Sequence, residues 1–444
     1  MSNNIFITEK LKYIYNKENK KGRNLEGLFF HDVKELSQKI KAKRYDISFL
    51  RRNMELVIDF DLELTKKHDE LKALKATKNQ LIESNLNRIA EEISRKDFTL
   101  KLVEGPIVSD KPTYKLFTSP VGYFAEKLVQ YNIATAYDIK ISDRDSIVSS
   151  LISILDDNIP KIIIRTDISS FFESIPHSLL IKKLDSYSNL NVTTRKIIRT
   201  ILKYYTSNTL NEKGIPRGIG ISSYLSEMFM QEIDTSISCM ENAIYYKRYV
   251  DDIVVIFSPP IKPDGSELLS EITKIIKSHK LNINNDKTSI ISTYENDNFQ
   301  LDYLGYTFKY SRQKPLEVNM TNKRLERIKS RIDISISKWK KRKTPTATKN
   351  LINQIRFLTG NTKLKNNKGR TFVGIYHTNK HITTYKNIQA LDHYLAHMVN
   401  DHIKMQPSLQ RRLLKCSFLD GFKNKTFRYF TTEQLSKISQ DWKK

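Results

Sequence analysis

The spacing of hydrophobic residues separates a helical N-terminal region from a mixed one. From residue 1 to about 105, apolar residues recur every three or four positions within a highly charged sequence, which predicts helices. Between residues 106 and 165, a short strand pattern, PTYKLFTS, precedes a helical pattern, RDSIVSSLISILDD. The first region is therefore expected to be helical, and the second to mix short strands with helices.

The pattern changes again over residues 161–310. Short β-type runs alternate with turns that are rich in Gly, Pro and Asn. Two segments, SSYLSEMFMQEID and SELLSEITKIIKSHK, place their apolar residues on one face and predict amphipathic helices. Strands and helices in this arrangement predict an α+β domain.

Basic residues dominate the chain beyond residue 319. Residues 319–349 carry Lys and Arg at helical spacing with few acids, whereas residues 361–444 are mixed and then helical. Such a basic run is either a solvated helix face or a surface that binds a polyanion, and the run alone does not decide between them.

The chain as a whole is also strongly basic. The chain of 444 residues has 75 Lys and Arg against 49 Asp and Glu, a formal net charge of +26. An AT-rich source genome explains abundant Lys, Asn and Ile, but it does not explain the shortage of acids. The excess indicates a polyanionic partner without identifying it.

The sequence shows no pattern for membrane insertion or secretion. No stretch approaches the roughly 20 uncharged apolar residues that span a bilayer, and the opening segment lacks the features of a secretory signal. Cys239 and Cys416 are too few and too far apart for a disulfide framework or a Cys-based zinc site. These features predict a cytoplasmic protein with no membrane partner.

Two adjacent aspartates interrupt the apolar run RYVDDIVVIF, residues 248–257. Successive side chains on a straight strand point to opposite faces, so Asp251 and Asp252 share one site only at the tip of a β-hairpin. A simpler alternative is that aspartate favours turns. A second apolar strand, KIIIRTD, ends in Asp167 and places another acid in a similar setting.

A divalent cation would explain three carboxylates at the ends of neighbouring buried strands. Without a partner, Asp167, Asp251 and Asp252 would repel one another and be unfavourable to desolvate. Mg²⁺ prefers hard oxygen ligands, and two such ions about 4 Å apart stabilise the attacking and leaving oxygens of a phosphoryl displacement. The pattern therefore suggests nucleotidyl transfer.

The tetrapeptide YVDD at residues 249–252 resembles the metal-binding tip of reverse transcriptases, and the surrounding segments follow that family's order and approximate spacing. The resemblance implies an RNA-directed DNA polymerase with a right-hand fold of fingers, palm and helical thumb. Two Mg²⁺ ions, with Mn²⁺ as an alternative, would be held by Asp167, Asp251 and Asp252. Lys287, in KLNINNDKTSI, would protonate or neutralise the departing pyrophosphate.

The same resemblance implies residues that contact the nucleotide. In RTDISSFFESI, Phe172 matches the aromatic residue that packs under the sugar and excludes a 2′-hydroxyl, which favours deoxynucleotides. An ordinary core aromatic is the alternative for Phe172. The implied nucleotide-binding residues are Ile168, Phe172, Arg217, Gly218 and Asn284, with Lys115 and Arg144 as further candidates in the fingers.

Nucleic-acid contacts are implied by two further segments. Leu304-Gly305 in LDYLGYTFKY is similar to the hairpin that grips the primer strand, although an ordinary hairpin has the same pattern. The basic helix after it corresponds in position to the thumb, where Lys and Arg would bind phosphates. The implied nucleic-acid-binding residues are Tyr249, Leu304, Gly305, Lys323, Arg324, Arg327 and Arg331.

The loop GIPRGIGISSYLS departs from the usual family pattern. The usual Pro-Gln-Gly reads Pro216-Arg217-Gly218, and the usual Ser-Pro reads Ser222-Ser223. Both departures are similar to the bacterial abortive-infection and defence-associated branch, with its retron-like and unknown-group enzymes. Arg217 either inherits the contacts of the glutamine with template and nucleotide or binds phosphate through its guanidinium.

The resemblance also implies partners. They are an RNA template or noncoding RNA, deoxynucleoside triphosphates and a DNA product. A looser similarity of YNKENKKGRNLEGLFF and PRGIG to one polymerase of a two-polymerase antiviral system adds a second reverse transcriptase subunit and a higher oligomer.

The expected organisation has five parts. They are a helical N-terminal region over 1–105, fingers over 106–165, a palm over 166–318, a thumb over 319–360 and a mostly helical region over 361–444. Two other functions remain open. The bulky Phe172 disfavours an RNA-dependent RNA polymerase, and the complete acidic trio disfavours a catalytically silent RNA-binding scaffold, because clustered acids without metal would be destabilising.

Overall fold

The computed structural model describes residues 2–108, 110–186, 189–259, 261, 264–294, 296–364 and 371–442. The chain forms two compact units, each assembled from three segments. Unit 1 contains Met1–Ile141, Ile168–Ser236 and Thr273–Ile283, and unit 2 contains Ser142–Asp167, Ile237–Ile272 and Asn284–Lys444. The chain therefore passes from unit 2 to unit 1 directly after Asp167.

Helices account for most of the regular structure. The helices are α1 (Ser2–Lys20), α2 (Leu25–Phe29), α3 (His31–Arg52), α4 (Phe60–Ser94), α5 (Pro120–Ala136), α6 (Arg144–Leu155), α7 (Phe171–Ser174), α8 (His177–Ser186), α9 (Val192–Thr209), α10 (Gly220–Ser238), α11 (Gly265–Ser278), α12 (Asn322–Arg342), α13 (Pro345–Thr359), α14 (Ile375–Asn379), α15 (Lys386–Ile403), α16 (Pro407–Leu414), α17 (Phe418–Lys423) and α18 (Thr432–Asp441). Two short 3₁₀ turns cover Met54–Leu56 and Asn285–Lys287.

Within the described residues, the strands form four separate sheets. The strands are β1 (Leu102–Glu104), β2 (Tyr114–Leu116), β3 (Ile162–Asp167), β4 (Ala243–Tyr249), β5 (Asp252–Phe257), β6 (Ser289–Ser292), β7 (Asn298–Tyr303), β8 (Tyr306–Ser311), β9 (Lys314–Met320), β10 (Asn361–Leu364) and β11 (Thr371–Gly374). Helices with several antiparallel sheets confirm the predicted α+β class.

Unit 1 is mainly helical. α1, α3 and α4 pack together because each carries a stripe of buried aliphatic residues, such as Leu11, Val33 and Leu86. The helices predicted before residue 105 are confirmed, but β1 at the end of this region was not predicted, and it pairs antiparallel with β2. The predicted amphipathic helices appear as α10 and α11.

Unit 2 contains the sheet that positions the acidic residues. Its strand order is β4-β5-β3-β6, with antiparallel pairing throughout. β3 and β5 lie in the middle of the sheet, and their near-continuous Ile and Val runs are buried on both faces. α6 and the antiparallel sheet β7-β8-β9 share a core with these strands, including Leu151, Ile163, Val254 and Phe308.

The basic segment forms α12, which begins after an N-cap hydrogen bond from the Arg324 amide to the Thr321 side chain. Its apolar face, with Ile332, Ile336 and Trp339, packs into the core formed with α13 and α15. The prediction of a helix here is confirmed. Across the described part of the chain, no helix has the length and apolar character needed to cross a bilayer.

Candidate active site

The pairing of β3 with β5 brings two predicted acids face to face. Asp167, the last residue of β3, lies directly opposite Asp252, the first residue of β5. Residues opposite each other in an antiparallel pair project from the same face of the sheet, with Cβ atoms about 4.5–5.5 Å apart. Asp251 precedes Asp252 in the turn between β4 and β5. The predicted hairpin is confirmed, with Asp252 inside the strand rather than at the tip.

The turn that carries Asp251 has an unusual backbone. Val250 has a φ of 63°, a left-handed conformation that is strained for a β-branched residue. The pairing of Tyr249 with Asp252 closes the turn, and the buried Arg248 donates from Nη1 to the Val250 carbonyl at 2.7 Å. The surrounding strands therefore hold a conformation that the sequence would not adopt locally.

Asp167 has a basic partner. The Asp167 side chain is buried, and Lys287 donates from Nζ to both of its carboxylate oxygens at 3.0 Å. The backbone amide of Asn284 donates to the Asp167 backbone carbonyl at 2.7 Å. The 3₁₀ turn that follows Asn284 contains Lys287. The predicted Asn284 and Lys287 are thus both in contact with Asp167.

Asp252 also has a basic partner. Arg165 donates from Nε to Oδ1 at 3.1 Å and from Nη2 to Oδ2 at 3.3 Å, while the Tyr303 hydroxyl donates to the Asp252 carbonyl at 3.0 Å. Burial raises the pKa of Asp252; the Arg165 hydrogen bonds oppose this, and the charges of Asp167 and Asp251 add to it. This effect of Asp167 and Asp251 on Asp252 shows that the three acids share one electrostatic environment.

The acids have the chemistry of a Mg²⁺ site, because carboxylate oxygens are the ligands that this ion prefers. Within the described ranges, however, no three His, Cys, Asp or Glu side chains are arranged as a ready-made metal site. Lys287 and Arg165 instead neutralise Asp167 and Asp252. The sequence argument that acids without metal would lack partners was therefore wrong for these two.

Unit 1 contains a separate group of predicted residues around Phe172. The Arg217 guanidinium lies 5.2 Å from the centre of the Phe172 ring, and its Nη2 donates to Glu173 at 3.1 Å. Lys111 also donates to Glu173, at 3.1 Å. Burial alone would raise the pKa of Glu173, but hydrogen bonds from Arg217 and Lys111 hold it below its ordinary value. Phe172 is half-buried, so it is not an ordinary core aromatic.

The loop after Arg217 is held against β2. The Tyr114 amide donates to the Arg217 carbonyl at 2.7 Å, and Gly218 has a φ of 95°. A Cβ on Gly218 would lie 2.6 Å from the Tyr114 carbonyl oxygen, so only glycine is accommodated there. Ile168 is fully buried, which leaves only its backbone for the predicted nucleotide contact, whereas Lys115 is exposed.

A β-hairpin is present in unit 2 at the predicted place, with Leu304-Gly305 between β7 and β8. Two arginines hold its tip: Arg144 donates to the Leu304 carbonyl from Nε at 3.0 Å and from Nη2 at 2.6 Å, and Arg324 donates from Nη2 at 3.3 Å. Both guanidiniums stack on the Tyr306 ring. Arg144 and Arg324 therefore hold the hairpin tip in this structure, and their contacts with a nucleotide or phosphate stay a prediction.

The remaining predicted residues of α12 differ in exposure. Lys323 and Arg327 are exposed, and Arg331 is half-buried. Sequence reasoning did not single out Arg165, Glu173 or Lys111. A charged residue within the apolar run KIIIRTD was a usable signal for Arg165, but nothing local indicated the partners of Glu173.

Comparison with known proteins shows which family part of this chain is similar to. Residues 126–308, about two fifths of the chain, match the family described as Reverse transcriptase (RNA-dependent DNA polymerase). The match covers every acid of the β3–β5 cluster. Residues 126–308 are therefore similar to a reverse transcriptase domain. The comparison with curated proteins gave no match.

Solved structures with some similarity include fungal telomerases. Apo telomerase from Candida tropicalis, truncated from its C-terminal domain, has a TM-score of 0.35 and 9% identity over 50% of this chain and 55% of that one. Telomerase from Candida albicans with a TWJ fragment of telomeric RNA has a TM-score of 0.35 and 11% identity over 82% of this chain and 65% of that one. The corresponding complex from Candida tropicalis has a TM-score of 0.37 and 9% identity over 83% of this chain and 72% of that one. The chain spans less than two thirds of the length of the first two.

Proposed function

We propose that the protein joins deoxynucleotides to a 3′-hydroxyl by copying RNA, with two Mg²⁺ ions held by Asp167, Asp251 and Asp252. The observation that carries this proposal is the register of β3 and β5, which sets Asp167 opposite Asp252 next to the turn with Asp251. When bound, the two ions supply charge stabilisation for the attacking and leaving oxygens. Mn²⁺ is an alternative metal.

The protein side chains have distinct roles in this proposal. Lys287 leaves Asp167 and neutralises or protonates the departing pyrophosphate, which its half-exposed, flexible side chain allows. Arg165 keeps the Asp252 carboxylate oriented through two hydrogen bonds. Phe172 excludes the 2′-hydroxyl of a ribonucleotide, and Arg217 contacts the nucleotide or template in place of the glutamine usual in this family.

We further assign fingers to 106–165, a palm to 166–318 and a thumb to 319–360, between helical regions over 1–105 and 361–444. The hairpin tip Leu304-Gly305 and Tyr249 would contact the primer, and Lys323, Arg327 and Arg331 would bind phosphates. The net charge of +26 supports a nucleic-acid partner.

The biological setting that we propose is bacterial antiviral defence in the cytoplasm with a noncoding RNA, a second reverse transcriptase subunit and a higher oligomer. The similarity of Pro216-Arg217-Gly218 and Ser222-Ser223 to the defence-associated branch supports it. Sequencing of the RNA and newly made DNA that copurify with the protein tests this setting. Recovery of one defined RNA is expected, and recovery of only bulk cellular RNA would contradict it.

Primer extension tests the activity. Wild-type protein should extend a primer on an RNA template with deoxynucleotides and Mg²⁺, and Asp251→Asn should abolish extension while RNA affinity stays nearly unchanged. Equal use of ribonucleotides would instead support an RNA-dependent RNA polymerase. Absence of extension on every template, with biological activity intact in Asp251→Asn, would overturn the enzymatic proposal.

A second candidate function is a catalytically silent RNA-binding scaffold. The ion pairs of Lys287 with Asp167 and of Arg165 with Asp252 favour it, because they allow the acids to persist without metal. The Asp251→Asn comparison separates this scaffold from the polymerase.

A further inference from the structure

Unit 2 contains a cavity of about 450 Å³ whose lining includes none of Asp167, Asp251 and Asp252. Its walls come from α12, α13, β10, β11, α14 and α18, together with Trp442 directly after α18. α12 contributes Arg324, Arg327 and Arg331, and the other walls include Phe357, Ile375 and Trp442. Among the described residues that line the cavity, there is no Asp or Glu.

The arginines give the cavity a positive charge that its walls do not balance. Arg327 and Arg331 lie one helical turn apart, so their guanidiniums are on the same face of α12. Burial lowers the pKa of Arg331, and the charge of Arg327 lowers it further. Burial, together with Arg144, lowers the pKa of Arg324 to about 10. An anion in the cavity would relieve this repulsion.

Arg324 is already engaged, which leaves two arginines for a ligand. Its Nη1 donates to the Thr378 carbonyl at 3.2 Å and to Asn379 Oδ1 at 2.9 Å. Arg327 is exposed and Arg331 is half-buried, so both can reach a phosphate through the paired donors of the guanidinium.

Aromatic rings line another part of the cavity. Phe357 and Trp442 have ring centres 5.8 Å apart, and the Trp442 indole is fixed by donation from Nε1 to Ser335 Oγ at 3.0 Å. The Arg331 guanidinium lies 5.0 Å from the centre of the Trp442 ring. Aromatic and guanidinium planes are surfaces on which nucleobases stack.

We propose that this cavity binds a nucleoside phosphate, with the phosphate on Arg327 and Arg331 and the base against Phe357 and Trp442. The volume lies within the range of roughly 300–1,000 Å³ that is typical of small-molecule sites. The choice of a nucleoside phosphate among aromatic anions rests on the proposed function, since a polymerase encounters both free nucleotides and the ends of nucleic-acid chains.

Equilibrium dialysis of the full-length protein with deoxyadenosine monophosphate tests the proposal, and tryptophan emission locates the ligand. The chain has 2 tryptophans, and Trp339 is buried away from the cavity lining, with Nε1 donating to Thr348. Binding should change the emission of wild-type protein and of Trp339→Phe, and the emission of Trp442→Phe should not respond. Deoxyadenosine and inorganic phosphate should each bind at least ten times more weakly than the monophosphate.

Charge variants of α12 provide the matched comparison. Arg327→Gln and Arg331→Gln should each weaken monophosphate binding about tenfold. Lys340→Gln removes one charge from an exposed position on the same helix and should change affinity less than twofold. Equal weakening by all three variants, or equal affinity for inorganic phosphate and the monophosphate, would overturn the proposal. Unchanged circular dichroism excludes unfolding as the cause.

Two further arms complete the experiment. A 5′-phosphorylated oligonucleotide that competes more strongly than the monophosphate identifies a chain end as the natural ligand, and the reverse order identifies a free nucleotide; both outcomes support the site. Asp251→Asn should bind the monophosphate normally. If wild-type protein extends primers but binds no monophosphate in the cavity, this inference fails alone. If wild-type protein binds the monophosphate in the cavity but does not extend primers, the polymerase proposal fails alone.

Discussion

Lys287 Nζ lies 3.0 Å from both carboxylate oxygens of Asp167, the acid at the end of β3. The ammonium group thereby pairs with both of the carboxylate oxygens that would otherwise be available to hold a metal ion. Its side chain is 53% exposed, against 9% for Asp167, so the lysine can move more easily than the acid. Metal binding and the release of Lys287 should therefore be coupled.

Replacement of Lys287 should separate two effects of this coupling. In Lys287→Met, the Mg²⁺ concentration that gives half-maximal activity should fall, because no ammonium competes for Asp167. The maximal incorporation rate should fall roughly 100-fold, since a proton donor for the pyrophosphate is lost. Single-turnover primer extension over a Mg²⁺ series measures both. Lys274→Met, at an exposed position of α11, is the control, and an unchanged maximal rate would contradict the role of Lys287.

Asp252 should limit the stability of the metal-free protein. Because its pKa is raised in the folded state, the folded protein binds this proton more tightly, and stability falls as pH rises from the unfolded pKa through the folded one. Asp252→Asn should therefore raise the free energy of unfolding at neutral pH, and this gain should vanish in acid.

Denaturant unfolding at several pH values, in the absence of metal, measures this effect. Asp286→Asn, at an exposed position, is the control. A destabilised Asp252→Asn at neutral pH would show that its hydrogen bonds with Arg165 matter more than the loss of charge.

Phe172 should control the choice of sugar. Phe172→Ala should increase incorporation of ribonucleotides relative to deoxynucleotides by at least about tenfold, because a clash with the 2′-hydroxyl is removed. Competition between the two nucleotides in primer extension measures the ratio. The neighbouring Phe171 is fully buried, so Phe171→Leu should lower stability and leave the ratio unchanged. An unaltered ratio in Phe172→Ala would assign the ring to packing alone.

Glu173 should position Arg217. In Glu173→Gln, Arg217 loses an ionised partner, and KM for the nucleotide should rise with a smaller change in kcat. The pKa of Glu173 is lowered in the folded state, so its stabilising effect is present above the unfolded pKa and is lost as pH falls through the folded one.

The thermal midpoint of Glu173→Gln should therefore lie below wild type at neutral pH and converge with it in acid. Glu267→Gln, on the exposed side of α11, serves as the reference. A constant difference at all pH values would mean that the ion pair with Arg217 does not stabilise the fold.

Arg324 should stabilise the tip of the β7–β8 hairpin. Arg324→Met leaves the carbonyls of Leu304 and Thr378 without this donor, and the expected loss is about 2–3 kcal/mol in the free energy of unfolding. Lys309→Gln on β8 is exposed and should change stability by less than about 0.5 kcal/mol. Equal stability of both variants would show that Arg324 does not stabilise the hairpin, and its predicted role in phosphate binding would then be favoured.

The sequence by itself determined the local elements and the positions of the acids. The apolar runs of β3 and β5 follow from burial on both faces, and Asp167 and Asp252 mark their ends in any fold that pairs these strands. The amphipathic helices α10, α11 and α12 likewise follow from apolar residues that recur every three or four positions.

Only the tertiary structure decided what each charged group contacts. Arg165 and Asp252 are 87 positions apart in the sequence, and Lys287 and Asp167 are 120 positions apart. No local pattern therefore predicts either pair. The same holds for Arg324, whose basic neighbours on α12 gave no reason to expect burial. The sequence does not show whether a given cation is solvated, binds phosphate or pairs with a carboxylate, because packing decides which partner lies within reach.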